Sequence, residues 1–295
     1  GRPALVSSAS ATRIDTIAPH GSPGRIRVAT INGSVLSGTP FFLLPSSINS
    51  ADLEATAYTE VGGPAVRLKL SVGKIGALLF DSVGGQMATI DLTEFLPTPA
   101  NAQIAYELYA PAGGAPILTG FVNQATRSIH LPRLVAGTYT LYLKAGANAI
   151  ELVAAITLNS KLATDGAAWG LNLSFPGQSQ RLNFEGVAGQ DWVVHLSDLA
   201  LSSTSVYLTY TIKKPDGSYL TGSSCYPNGN YCSLQSYPLP VSGSYTIEVK
   251  PYPEGVTGSF KARSWLSSRV KGSLTAGVES AVSTAIVGQR LEYSF

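Results

Sequence analysis

Two cysteines, three histidines and a crowd of tyrosines are the residues of this chain whose types and spacing could do chemistry. Cys225 and Cys232 bracket Tyr226-Pro-Asn-Gly-Asn-Tyr231. Pro227-Asn-Gly229 is a turn signal. A turn there brings the two Cβ atoms within disulfide range. The reading is a local staple at a hairpin tip, and the alternative is two free thiols. A zinc site would need two more ligands, and His20, His130 and His195 lie far apart along the chain. A disulfide points to an oxidising compartment, extracellular or at a cell surface. Eight of the 14 tyrosines fall between Tyr207 and Tyr252. Tyr219, Tyr226, Tyr231 and Tyr237 crowd the cysteine loop, where rigid exposed aromatics would suit contact with a sugar or a protein. The plainer reading is that tyrosine is common in strands.

The remaining polar residues supply no catalytic constellation. The serines have no paired base, and a serine without one is a surface hydroxyl. There is no Gly-x-Ser-x-Gly elbow and no Walker loop around Gly73-Lys74 or Lys271-Gly272. Asp81 and Glu185 sit beside Gly-Gln turns, as acceptors for turn backbone. No Asp-x-Asp-x-Asp loop is present. No cofactor is expected. A lone structural calcium held by turn carbonyls and one carboxylate stays open, with Asp216 and Asp198 the first positions for it.

Those residues are carried by a duplicated framework. Phe80-Asp-Ser-Val-Gly-Gly-Gln86 matches Phe184-Glu-Gly-Val-Ala-Gly-Gln190, an offset of 104. Tyr106 to Gly113 matches Tyr210 to Gly217 at the same offset, and Val135-Ala-Gly-Thr-Tyr139 matches Val241-Ser-Gly-Ser-Tyr245 at 106. The drift of two fits an insertion at the cysteine loop. His195 stands at the repeat position of Asp91, which reads as a solvent-facing strand slot. A third opening appears at Val282-x-Thr284-x-Ile286, Gly288-Gln289, Phe295.

Strict alternation marks Val66–Leu70, Tyr139–Leu143, Trp192–Leu196 and Tyr245–Val249 as strands with one buried face. Only Ser47–Ala57 leaves room for a short helix. The fold class read from this pattern is all-β, with tandem antiparallel β-sandwich modules of jelly-roll or immunoglobulin-like type. The expected division is 1–57, an incomplete set of N-terminal strands; 58–158 and 159–266, two modules; and 267–295, the opening strands of a third. Gly1-Arg-Pro reads as a processed or excised start.

Charged residues make up only 13% of the chain and the net charge is +2. Nucleic-acid binding needs a basic face, and none is visible. No apolar run approaches the ~20 residues of a membrane helix, so membrane insertion is not expected.

The motifs Leu182-x-Phe184-x-x-x-Ala-Gly-Gln190, Pro215-Asp-Gly217 and Leu239-Pro-x-x-Gly243-Ser-Tyr-Thr246 resemble bacterial pre-peptidase C-terminal-like domains. They are more similar still to the β-sandwich arrays that precede YD repeats in large secreted bacterial proteins. The resemblance covers about residues 58–295. Gly24-Arg-Ile-Arg-Val-Ala-Thr-Ile-Asn-Gly33 followed by Pro40-Phe-Phe42 resembles the closing strands of an IPT/TIG domain. The resemblance implies an accessory role: spacing, display, or binding to surfaces and polysaccharide, without catalytic residues. The leading expectation is therefore a non-enzymatic structural or adhesive component of a bacterial surface or secreted assembly. Its partners would be other copies or neighbouring modules of the same protein. The alternatives are a carbohydrate-binding module using the loop 219–237, and a head-to-tail strand-exchanging filament subunit.

Overall fold

The computed structural model describes residues 3–17, 23–203, 205–227, 231–236, 238–267, 269–285 and 289–295. Among the described residues the chain is all-β, apart from a single 3-10 turn at Ser50–Asp52, capped by the Asn49 side chain, within the stretch where a short helix was possible. It divides into two units: residues 1–124 with 129–158, and residues 125–128 with 159–295.

The first unit carries β1 (Leu5–Ala9), β2 (Ile14–Ile17), β3 (Gly24–Thr30), β4 (Gly33–Phe41), β5 (Leu53–Glu60), β6 (Val66–Leu70) and β7 (Ile75–Ser82). It continues with β8 (Ala88–Thr98), β9 (Ile104–Tyr109), β10 (Leu118–Val122), β11 (Ser128–His130), β12 (Gly137–Lys144) and β13 (Ala149–Leu158). A five-stranded sheet runs β10-β9-β12-β7-β5 and a four-stranded sheet runs β11-β8-β13-β6. β1–β2 and β3–β4 are separate hairpins, the second turning at the expected Asn32-Gly33.

The second unit carries β14 (Ser160–Lys161), β15 (Trp169–Leu173), β16 (Gln180–Gly186), β17 (Asp191–Leu201), β18 (Tyr207–Lys213) and β19 (Tyr219–Cys225). β20 (Tyr231–Ser236), β21 (Gly243–Tyr252), β22 (Gly258–Ser267), β23 (Val270–Ser273) and β24 (Leu291–Ser294) complete it. Its sheets run β14-β16-β21-β18-β19 and β15-β22-β17-β20. Strand for strand this is the order of the first unit, so the sequence repeat is also a repeat of topology.

The two sheets of each unit share one core. In the first, Leu78 and Phe80 from β7 meet Ile90, Leu92 and Phe95 from β8 and Leu152 from β13. In the second, Phe184 from β16 meets Trp192 and Val194 from β17 and Phe260 from β22. Each such fully buried aliphatic or aromatic side chain contributes about 1.5–3 kcal/mol of transfer free energy. Phe80 stacks on Tyr139 at 5.4 Å, and Phe184 stacks on Tyr245 at 5.2 Å and on Trp192 at 4.5 Å. The alternation in the sequence supplies these inward residues, since successive strand side chains take opposite faces.

β7 departs from alternation because both of its faces are covered. Ala77 and Leu79, on the face away from Phe80, join Ile48, Tyr109 and Tyr142 in a second cluster, with Phe42, Leu44 and Leu53 packed against it. The segment 42–53 therefore belongs to the first unit. A continuous apolar run is what burial on both faces requires.

The recurrent Gly-Gln motif makes one bond in common in each copy. The Oε1 atoms of Gln86 and Gln190 accept the backbone N–H groups of Val83 at 2.9 Å and Val187 at 3.0 Å. The preceding Gly85 and Gly189 both sit at φ +86°, a left-handed conformation that favours glycine. Gln178 does the same for Ser174 at 2.6 Å, and Gln289 for Ala285 at 2.8 Å. The side-chain acceptor of these turns is the glutamine rather than Asp81 or Glu185.

One pairing recurs that alternation does not reveal. β5 pairs parallel with β7, β14 with β16, and β23 with β24. β24 ends beside Phe295, the match of Phe184, so the last pair repeats the opening of the two units. Arg269 ties this pair to the second unit, with Nε 3.4 Å from Asp191, whose side chain is fully buried, and Nη1 3.1 Å from Glu292.

Candidate functional site

The disulfide forms, between Cys225 and Cys232 with Cα atoms 5.4 Å apart. It does not sit on a two-stranded hairpin. β19 is the edge of the five-stranded sheet and β20 is the edge of the four-stranded sheet. The bond therefore closes the corner where the chain passes from one sheet to the other. Cys225 is buried among the core residues of the second unit. The equivalent corner of the first unit, between β10 and β11, has no cysteine.

The four tyrosines singled out around this loop separate. Tyr219 opens β19, at the end remote from Cys225, and is exposed. Tyr226 follows Cys225 directly and is 58% exposed. Tyr231 opens β20, opposite Ser197. Tyr237 lies outside the described residues.

Tyr226 has partners that loop proximity does not supply. Its ring lies 4.8 Å from that of Tyr207, and the Tyr207 ring lies 5.0 Å from that of Tyr252. The strand register produces this row. Tyr207 is opposite Tyr252 across β18 and β21, and Leu208 is opposite Cys225 across β18 and β19. Neighbouring strands are ~4.8 Å apart, so one tyrosine per strand at one end of the sheet gives rings at that spacing. The rings tilt by 35° and 31°, so they form a fanned stack. Tyr207, in the middle, is half-buried and its phenol pKa is raised, first by loss of solvent and then by Tyr252 and Tyr226. The next residues on this face are Lys250, Thr209 and Ser224, also aligned across the three strands.

The other candidate residues have partners within the fold. The Asp81 carboxylate accepts the hydroxyls of Tyr58 and of Thr138, both at 2.5 Å. It thereby bridges β5, β7 and β12 at the side of a groove of about 370 Å³. Burial and the bond to Asp81 raise the Tyr58 pKa, and the Arg25 guanidinium stands 4.9 Å over its ring. Asp198 pairs with Lys261 at 2.8 Å, which holds its pKa down. Asp216 accepts the backbone N–H and the hydroxyl of Ser218 inside its own turn, and its pKa is lowered for that reason. Among the described residues no group of three or more His, Cys, Asp or Glu is placed to hold a metal ion.

His195 faces Ser233 and Arg263 across its neighbouring strands and is half-buried, so the slot is less open than alternation implied. Loss of solvent, then Arg263, lowers its pKa. His130 Nδ1 lies 2.9 Å from the Thr89 hydroxyl. His20 lies outside the described residues. Among the described residues no helix is long and apolar enough to cross a membrane.

Sequence reasoning grouped Tyr226 with Tyr219, Tyr231 and Tyr237 and missed Tyr207 and Tyr252, the rings it lies in a row with. They are 45 residues apart in a chain read by local spacing. The usable signal was the alignment of strand ends between the two copies.

No family model and no curated protein matches the chain. Among solved structures, it is similar to the CUB1-EGF-CUB2 domain of human MASP-1/3, at 9% identity and a TM-score of 0.20 over 68% of this chain and 99% of that one. It is also similar to the M60 catalytic domain with the CBM51-1 and CBM51-2 domains from Clostridium perfringens ZmpB, at 7% identity and a TM-score of 0.20 over 65% of this chain and 33% of that one. A third likeness, to infectious bursal disease virus Gt strain, has 14% identity and a TM-score of 0.23 over 68% and 70% of the two chains. Likeness at this level assigns neither fold nor ligand to the chain.

Proposed function

We propose that this chain is a non-enzymatic structural and adhesive component of an extracellular assembly, built from tandem β-sandwich modules like those preceding YD repeats in secreted bacterial proteins. The observation that carries the reading is the reuse of one framework. Sheet order, core stack and Gln-held turn recur in both units while the surfaces differ. Each unit also ties a buried tyrosine back to the residue four positions earlier, Tyr139 to Val135 and Tyr245 to Val241. This is the logic of the tyrosine corner of immunoglobulin-like sandwiches. The disulfide fits an oxidising compartment. Repetition of a rigid module with a variable surface serves spacing and display.

The test has two parts. The chain should be accessible to added trypsin on intact producing cells, and the purified chain should give no turnover on panels of peptide, ester and glycoside substrates. Enzyme-like turnover that His195→Ala or Asp81→Asn abolishes would overturn the reading, as would confinement of the chain to the cytoplasm.

A further inference from the structure

The two units differ at one rung of their framework. In the first, the ladder between β9 and β12 closes at Ala105 opposite Lys144. The repeat equivalents are Thr209 and Lys250, which also face each other. The second unit then adds Tyr207 opposite Tyr252, where the first has Gln103 and Gly146. Strand β21 accordingly runs to Tyr252, two residues beyond the position at which β12 stops. The fold closes without this rung, so three aromatic side chains there are an addition to the framework and not a demand of it.

The added rung is exposed and amphipathic. Tyr226 and Tyr252 are 58% and 51% exposed. As the outer members of the fan they each have one ring face turned away from Tyr207. Those two faces are about 10 Å apart at most, given ring spacings of 4.8 and 5.0 Å. The row below adds the Lys250 ammonium and the Ser224 hydroxyl, both exposed. The disulfide at Cys225 anchors the backbone immediately before Tyr226. Rigid rings flanked by hydroxyl and ammonium donors are what a pyranose needs: its C–H face packs on an aromatic face while its hydroxyls and ring oxygens take the polar groups. A proline-rich peptide would use the rings and offers carbonyl acceptors, but it has no donor for the Ser224 and tyrosine oxygens, which sugar hydroxyls supply.

We propose that the Tyr226–Tyr207–Tyr252 row, with Ser224 and Lys250, is a saccharide-binding surface of the second unit. It rests on the non-enzymatic, surface-exposed reading above and names its ligand class.

The experiment uses the purified full chain with its disulfide intact. Affinity electrophoresis through hydroxyethylcellulose, glycol chitin, laminarin, alginate and hyaluronan covers neutral and uronate polymers. A decaproline peptide serves as the competing ligand. At least one polysaccharide should retard the chain. Tyr226→Ala and Tyr252→Ala should each weaken that retardation at least tenfold, while Tyr219→Ala, an exposed tyrosine outside the row, should change it less than twofold. Retardation by uronate polymers alone, lost on Lys250→Gln, would assign the acidic class; retardation by neutral polymers would assign the neutral one. Unchanged far-ultraviolet circular dichroism and tryptophan emission in each variant show that the fold is kept. Absence of retardation by every polymer, retardation unaffected by both row variants, or decaproline binding in place of polysaccharide would overturn the proposal. None of these outcomes touches the non-enzymatic reading, which turnover would overturn by itself.

Discussion

Removing the phenol oxygen of Tyr245 should weaken the second unit alone. The Tyr245 hydroxyl donates to the Val241 carbonyl at 2.6 Å and accepts the Val241 N–H at 3.3 Å. Its ring is fully buried against Phe184. Tyr245→Phe keeps the stack and deletes only these bonds. A net hydrogen bond is worth about 0.5–1.5 kcal/mol. Val241 is 44% exposed, so water takes over part of the freed carbonyl. The expected loss is about 1–2 kcal/mol. In the first unit, Tyr139 accepts only the Val135 N–H, at 2.7 Å, and Val135 is 59% exposed. Tyr139→Phe should therefore cost less, about 0.5–1 kcal/mol. For units of this size a loss of 1 kcal/mol lowers the melting midpoint by about 2–4 °C. The chain offers a selective assay, because Trp169, Trp192 and Trp265 all lie in the second unit. Tryptophan fluorescence melts should shift for Tyr245→Phe and not for Tyr139→Phe, while far-ultraviolet circular dichroism registers both. Tyr142→Phe is the control: that ring is equally buried, and its replacement should stay within about 0.5 kcal/mol. If all three variants are indistinguishable, the phenol oxygens do not hold the turns and the comparison with the tyrosine corner fails.

Three further outcomes are expected. Reducing Cys225–Cys232, which are separated by seven positions, should cost about 2.4 kcal/mol from loop entropy, read as a lower urea midpoint in dithiothreitol; no shift would show that the sheet corner holds without it. Burial raises the Tyr142 pKa from 10 to about 12, so its contribution is present below pH 10 and is lost as pH rises through 12, on the order of 2–3 kcal/mol. Tyr142→Phe should flatten that alkaline decline in chemical denaturation, and an unchanged decline would refute the assignment. The lowered pKa of His195 gives stability that is present above the ordinary imidazole pKa and is lost as pH falls from there through the lowered value; His195→Gln should reduce acid destabilisation below about pH 6.5, read as the urea midpoint against pH.

Strands and turns were readable because alternation and Gly-containing turns are local signals. The duplicated motifs also carried the equivalence of the two units. Pairing between distant strands was not readable. The parallel partners β5–β7 and β14–β16 leave no mark on periodicity, since a strand shows which face is buried but not which neighbour lies beside it. The Asp81 bridge has the same origin: Tyr58 and Thr138 reach it from strands separated by 23 and 57 residues from that position. The packing of Phe42 and Leu44 over Ala77 and Leu79 was not readable either, because a hydrophobic segment carries no label for the face it will cover.

The recurring parallel pair also sets how each unit meets a pull. A terminal strand lying parallel to its neighbour is dragged lengthwise when the chain is stretched, so its hydrogen bonds resist together in shear. The first unit presents eight residues of β5 for this purpose, Leu53–Glu60. The second presents only Ser160–Lys161. Fewer bonds in shear should let the second unit release its leading strand at the lower force. A chain strung from such units would carry a built-in order of release, with its tyrosine-bearing unit as the element that yields and the first as the one that holds.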